Sequence, residues 1–311
     1  MKIVSYKTKG NEFSPYRIGF VLDDKVFDLQ AVYKQMLLAK DEEDSAHAAL
    51  GLLPDNPNDF FALGKLSLNR AEEAYAYALE NESLTSFNRR DIVLGPPVPN
   101  PSKIICIGTN YKDHVLEMKS EIPDFPVLFS KFNNALIGPE DAIEKSPKTS
   151  KLDYEVEFAV VIGKKASGVK RDEALDYVAG YTIGNDISAR DLQKRTPQWL
   201  QGKSLDRSTP IGPWIVTTKE IPDPSTIDVK ASVNGEVRQN SNTKHLIFDV
   251  PFLIEFISEL ITLEPGDIIL TGTPGGVAAG MESPQFLEEG DVVTLEIAGI
   301  GTLENKVIAK K

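Results

Sequence analysis

Short runs of alternating apolar and polar residues recur along this chain, cut by glycine and proline, and they predict a protein built mainly from strands. In the first third, the runs at 2–6, 17–22 and 25–28 predict a small antiparallel sheet. Apolar residues at helical spacing predict helices at 31–40 and 71–80, and Asp55-Asn56-Pro57-Asn58-Asp59 between them carries turn and helix-start residues. Residues 94–103 then contain four prolines, the composition of an extended, semi-rigid connector. We place a boundary there, between a small N-terminal α+β domain (1–95) and a second unit (96–311). Beyond it, runs at 104–108, 127–130, 155–163, 178–186, 214–217, 228–233 and 267–271 predict strands. Residues 250–260, opened by Asp249 and Pro251, predict the best helix. The pattern is that of a β-rich α+β protein rather than a doubly wound sheet.

The run at 153–163 departs from simple alternation in one respect. Val156, Phe158, Val160 and Ile162 ask for a buried face, and period-2 geometry points Glu155 and Glu157 together to the opposite side. Two carboxylates so close repel unless a cation lies between them, and their oxygens suit a hard divalent ion, Mg²⁺ or Mn²⁺. A solvent-facing pair on an amphipathic strand is the ordinary alternative, so other residues must decide. Asp186 supplies a third carboxylate at a polar stop after an apolar run, where a turn-capping Asp is the competing explanation.

Composition narrows the partners. At 311 residues, with 41% hydrophobic and 26% charged content, the chain is expected to be a soluble globular protein of one large or two ordinary domains. No apolar run approaches the roughly 20 residues that span a bilayer, and the N-terminus carries no apolar leader, so a cytoplasmic protein is expected. The single cysteine, Cys106, excludes an intramolecular disulfide, and its apolar surroundings mark a core residue rather than a nucleophile. With 46 acidic against 34 basic residues the net charge is -12, which disfavours nucleic acid and membrane surfaces as partners. Only three histidines occur, His47, His114 and His245, so any metal is held mainly by oxygen.

Three further segments carry candidate chemistry. His114 and Glu117, three residues apart, share one face of a helical turn, where the Glu orients the imidazole as a general base; a solvated helix face explains the spacing as well. Lys203, between Gly202 and Ser204, is a candidate to hold a carboxylate or enolate, against the commoner surface lysine. Residues 270–277 follow an apolar strand with a Gly-rich turn that lacks a phosphate-loop pattern, so nucleotide binding is rejected. The amides there and the Thr273 hydroxyl suit a carboxylate, although a plain strand–turn is the simpler reading.

Taken together, these segments resemble the fumarylacetoacetate hydrolase superfamily over the whole second unit. The motifs stand in family order: I-G-x-N-Y-x-D-H at 107–114, D-Y-E-x-E at 153–157, G-Y-x-x-x-N-D-x-[ST]-A-R-D at 180–191, G-K-S at 202–204, V-N-G-E at 233–236, and L-x-x-G-D-I-I-x-T-G-T-P-x-G-V at 263–277. The resemblance implies a mixed β-sandwich roll that binds Mg²⁺ or Mn²⁺ through Glu155, Glu157 and Asp186. It implies a water-activating pair, His114 and Glu117, on a segment that closes as a lid. It also implies that Arg190, Gln193, Lys203 and Thr273 contact the oxo-acid end of the substrate, and that the protein is a homodimer. The extra N-terminal unit resembles that of bacterial members acting on oxaloacetate or acylpyruvates. Two positions depart from the pattern: Phe132, where many members carry Pro, and His245, where Met is common.

The expected activity is metal-dependent cleavage of a C–C bond in a small 2-oxo acid, by decarboxylation of oxaloacetate or hydrolysis of an acylpyruvate. Both chemistries share stabilisation of an enolate, to which Lys203 adds positive charge. An isomerase or tautomerase working through the same enolate is an alternative, and a non-catalytic oxo-acid-binding protein is another. The His114–Glu117 pair speaks against the last, because a binder needs no base.

Overall fold

All residues of the strand that carries Glu157 are buried, so the pair of glutamates has no solvent face to occupy. The structure, a computed structural model, describes residues 1–11, 13–40, 43–81 and 83–310. In chain order its main strands are β1 (Lys2–Thr8), β2 (Arg17–Leu22), β3 (Lys25–Asp28), β4 (Ile92–Gly95), β5 (Ile104–Gly108), β6 (Val127–Lys131) and β7 (Val156–Ile162). They continue as β8 (Val178–Asn185), β9 (Thr209–Thr217), β10 (Asp228–Val233), β11 (Glu236–Asn242), β12 (Ile268–Leu270), β13 (Val292–Ile297) and β14 (Gly301–Ala309). One path through the larger sheet runs β3-β2-β1-β9-β8-β7-β12-β5-β6, and a smaller sheet contains β11-β10-β13-β14. Both sheets are open, and the fold is the expected strand-rich α+β type.

Strand β7 divides two cores. Its even-numbered residues, Val156, Phe158, Val160 and Ile162, join a core with Val229 and Ala231 of β10 and Val293 and Leu295 of β13. Its odd-numbered Ala159 and Val161 join a second core with Leu29, Phe60 and Ala71. Alternation puts Glu157 on this second side. The face that holds the carboxylates is therefore continued, further along the strand, by a core that residues before 95 help to build.

That arrangement explains the first third of the chain. Strand β1 pairs with β9 through Lys2↔Val216 and Ile3↔Ile215, and β4 pairs with β1. The larger sheet thus runs across the connector at 94–103. Asp28 ties the N-terminal strands to the helix that follows, α1 (Leu29–Ala39). Its carboxylate accepts from Ala31 N at 2.9 Å as the helix cap, from Tyr6 Oη at 2.7 Å and from Arg17 Nε at 2.6 Å. Burial, then the Asp28 charge beside it, pushes the Tyr6 phenol far above its ordinary range. Asp28→Ala removes the cap and strips a buried phenol of its acceptor, so unfolding in urea should report a loss of about 2 kcal/mol. An unchanged midpoint would remove this anchor from the account.

Some elements differ from expectation for local reasons. The second expected helix starts earlier, as α2 (Lys65–Leu79), because Gly64 at φ 57° turns the chain into it. Strand β9 begins at Thr209, before Pro210 and Pro213, although proline argues against a central strand. Strand β11, which the alternation did not predict, returns from β10 through Asn234 and Gly235, at φ 52° and 81°. Cys106 is a fully buried core residue, as expected. Among the described residues, no helix is long and apolar enough to cross a membrane.

Candidate active site

The ends of β7 and β8 lie side by side, with Val156 opposite Asn185. This register brings Glu155, just before β7, next to Asp186, just after β8, and Asp186 N donates to Glu155 O at 3.0 Å. Asn185 Oδ1 accepts from Glu155 N at 3.1 Å and braces the same crossing. One carboxylate oxygen each from Glu155, Glu157 and Asp186 then lies within 4.8 Å of the others, and all three residues are buried.

Three cations face this nest. Lys203 Nζ donates to Glu155 Oε2 and Asp186 Oδ2, both at 2.7 Å. Lys131 Nζ, on β6, donates to Asp186 Oδ1 at 2.8 Å. Arg190 reaches Glu155 Oε1 at 2.8 Å through Nη2 and Asp153 Oδ2 at 2.8 Å through Nε. Burial opposes the charge of Glu155, but Lys203 and Arg190 outweigh it and lower its pKa to about 2. Burial likewise opposes the Lys203 ammonium, and Asp186 and Glu155 reverse that effect and raise its pKa. Glu157 is different. It accepts from Gly272 N at 2.7 Å and has no ion-pair partner among the described residues. Burial, with the neighbouring Asp186 and Glu155 charges, raises its pKa well above the carboxylate range. A nest of hard oxygen donors, one of them without a cationic partner among the described residues, fits a divalent cation.

Two short helices present the basic residues. Arg190 and Gln193 stand on α4 (Arg190–Gln193 in the chain; the short helix Lys112–Glu117 is α3), and Lys203 ends α5 (Leu200–Lys203). Gly202 allows α5 to lie against α4, since a Cβ there would meet Ala189 O and Gln193 N at 2.6 Å. The N–H of Phe132, which a proline would lack, donates to Ser204 Oγ at 3.2 Å and steadies the same turn. Phe132 is itself exposed and His245 bonds Ser241 on the surface, so neither departure from the family pattern lines the cleft.

The cleft has a volume of about 210 Å³ and is lined by Glu155, Glu157, Arg190, Gln193, Lys203, His114 and Thr273. This is less than the roughly 300 Å³ at which drug-sized sites begin. Apolar walls come from Ile107, Phe129 and Trp199. Thr109, at φ 52°, turns the chain from β5 towards α3, a backbone strain of the kind held at sites. On α3, His114 Nδ1 lies 3.5 Å from Glu117 Oε2, and Gly276 N donates to both Glu117 oxygens at 3.0 and 3.1 Å. Glu117 stands behind His114 rather than in the lining. Thr273 Oγ1 accepts from Gln239 Nε2 at 2.8 Å, which leaves its own proton free.

All nine residues singled out from the sequence thus gather at one place. Four supporting residues did not stand out. Lys131 neutralises Asp186 from a strand remote in sequence; Asp153 orients Arg190 and accepts from Ala278 N and Ala279 N. Gln239 holds Thr273, and Asn110 bridges Thr271 O and Phe248 O. Asp153 and Asn110 lie inside the recognised motifs, so their positions were visible while their partners were not.

A small cleft walled by buried carboxylates and committed cations, at one end of a strand-rich α+β fold, defines the class as one of small-molecule enzymes. The chain belongs to the fumarylacetoacetate hydrolase family, whose domain "Fumarylacetoacetate (FAA) hydrolase C-terminal" matches residues 103–308. It is 40% identical over 326 residues to the fumarylacetoacetate hydrolase domain-containing protein 2 homolog of Dictyostelium discoideum, covering 99% of this chain and 97% of that one. It is 41% identical over 306 residues to the oxaloacetate tautomerase YisK of Bacillus subtilis (strain 168), covering 96% and 98%. The solved fumarylacetoacetate hydrolase from psychrophilic Exiguobacterium antarcticum superposes with a TM-score of 0.79 at 35% identity over 100% of both chains. Members of the family include hydrolases, isomerases and tautomerases.

Proposed function

We propose that this protein catalyses keto–enol proton transfer in a small 2-oxo acid of the oxaloacetate kind, with Glu155, Glu157 and Asp186 holding Mg²⁺ or Mn²⁺. The observation that carries the reading is that one small cleft holds both a proton acceptor, His114, and buried positive charge, Lys203 and Arg190. The 41% identity to an oxaloacetate tautomerase, higher than the 35% to the solved hydrolase, favours proton transfer over hydrolysis. When bound, the cation supplies Lewis-acid polarisation of the substrate's carboxylate and oxo oxygens.

The side chains then divide the work. A proton on His114 Nδ1, facing Glu117, leaves Nε2 to accept one. His114 takes a proton from C3, the C3–H electron pair becomes the C2=C3 bond, and the carbonyl π pair moves to the 2-oxo oxygen. Lys203 keeps its own proton and stabilises that oxygen as a fixed positive charge, and a solvent proton completes the enol. Ketonisation reverses each transfer. Arg190, Gln193 and the Thr273 hydroxyl hold the C1 carboxylate in place. The same negative charge develops when a C–C bond breaks, and the His114–Glu117 pair suits water activation, so hydrolysis or decarboxylation is the second reading.

The test supplies the Mn²⁺-loaded protein with oxaloacetate and with acylpyruvates, following C3 hydrogen exchange and pyruvate release separately. Exchange above the spontaneous rate without matching pyruvate supports the tautomerase reading. Pyruvate released in step with substrate loss moves the assignment to C–C cleavage, and inertness towards all of them removes both. A finer prediction follows from Gly280, where a Cβ would meet the Glu117 carboxyl carbon at 2.2 Å. Gly280→Ala should push Glu117 from His114 and lower turnover about tenfold to a hundredfold. Mn²⁺ affinity, measured calorimetrically, should stay at the parent value; a parallel loss would place Glu117 in the cation's support instead.

A further inference from the structure

The cleft sorts its charged groups by depth. At the buried end Arg190 and Lys203 are committed to Asp153, Glu155 and Asp186 at 2.7 to 2.8 Å. At the mouth lies Lys194, an exposed lining residue whose ammonium has no ion pair or hydrogen bond among the described residues. Its backbone is fixed, because Lys194 caps α4 and donates to Arg190 O at 3.2 Å. Thr109, Ser120 and Trp199 line the same cleft, and their hydroxyls and indole N–H are also without partners among the described residues. The acids of the lining, Glu155 and Glu157, are both buried. The mouth therefore offers a cation and neutral donors, with no carboxylate among the described lining residues to neutralise them.

We propose that Lys194 determines specificity by binding the distal carboxylate of a 2-oxo diacid whose oxo-acid end occupies the buried part of the cleft. The inference rests on the proton-transfer reading above and adds the substrate's second charge to it. An acyl tail gains nothing from the ammonium, whereas a carboxylate gains a charge-assisted hydrogen bond and the nearby donors.

The experiment compares C3 hydrogen exchange in D₂O for oxaloacetate and for 2-oxobutyrate, a monoacid of the same chain length, by proton NMR with the Mn²⁺-loaded protein. For Lys194→Met, the ratio of kcat/KM for the diacid to that for the monoacid should fall about tenfold, mostly through KM. Lys194→Arg should restore most of it. Arg195→Met, which removes a neighbouring exposed charge outside the cleft lining, should leave the ratio at the parent value. An unchanged ratio in Lys194→Met, or an equal fall in Arg195→Met, overturns the Lys194 assignment while the proton-transfer reading stands. A parent protein inert towards both acids overturns that reading, and the subsite with it.

Discussion

Glu157→Gln is expected to abolish tight Mn²⁺ binding and to lower turnover by on the order of a thousandfold. Among the three carboxylates Glu157 gives the cleanest test. Glu155 and Asp186 each hold buried ammonium or guanidinium groups at 2.7 to 2.8 Å, so neutralising either leaves a buried cation unpaired. Glu157 has no such partner among the described residues. Glutamine keeps its shape, and its carbonyl oxygen still accepts from Gly272 N. The variant should therefore fold as the parent does. A ligand that binds only the folded state at a hundred times its Kd adds about 2.7 kcal/mol of stability. Saturating Mn²⁺ should give the parent protein that increment in thermal unfolding and give Glu157→Gln almost none. If the variant is stabilised by Mn²⁺ as strongly as the parent, the carboxylate triad is not the cation site.

The sequence made this triad legible for a specific reason. Period-2 geometry is a local property, so Glu155 and Glu157 could be paired from their spacing, and Asp186 could be placed at a strand end from the polar stop after Ile183 and Gly184. The structure adds what spacing cannot supply. The β7–β8 register decides that Asp186 crosses beside Glu155, and alternation across two cores decides that no face of β7 is wet. Lys131 was missed because its partner is 55 residues away, and nothing local marks a lysine as buried until the strand beside it is known. The hairpin at Asn234-Gly235 was readable in principle, since that dipeptide favours a tight turn between strands. Strand β9 was half-hidden by Pro210 and Pro213. The N-terminal strands were visible as alternation, but their junction with β9 across the connector was not, because backbone pairing leaves no mark in composition. Local pattern thus revealed the carboxylate triad, and long-range pairing determined its surroundings.

Lys203→Met separates the cation's role from the lysine's own, since the two quantities should move in opposite directions. The ammonium lies 2.7 Å from two of the three carboxylates, so its charge competes with a divalent cation for the same oxygens. Replacing it with a neutral side chain of similar length should tighten Mn²⁺ binding about tenfold, read by calorimetry. Turnover should nevertheless fall by on the order of 10² to 10³, because fixed positive charge beside the developing oxyanion is lost. Without the cation, Glu155 keeps Arg190 and Asp186 keeps Lys131, so the fold should persist with lowered stability. Added Mn²⁺ should recover more stability in Lys203→Met than in the parent. If Lys203 only neutralises the nest, the cation-loaded variant should turn over at the parent rate, and that result would end its assignment to the reaction. If Mn²⁺ affinity falls together with turnover, the lysine organises the triad, and the enolate role passes to Arg190.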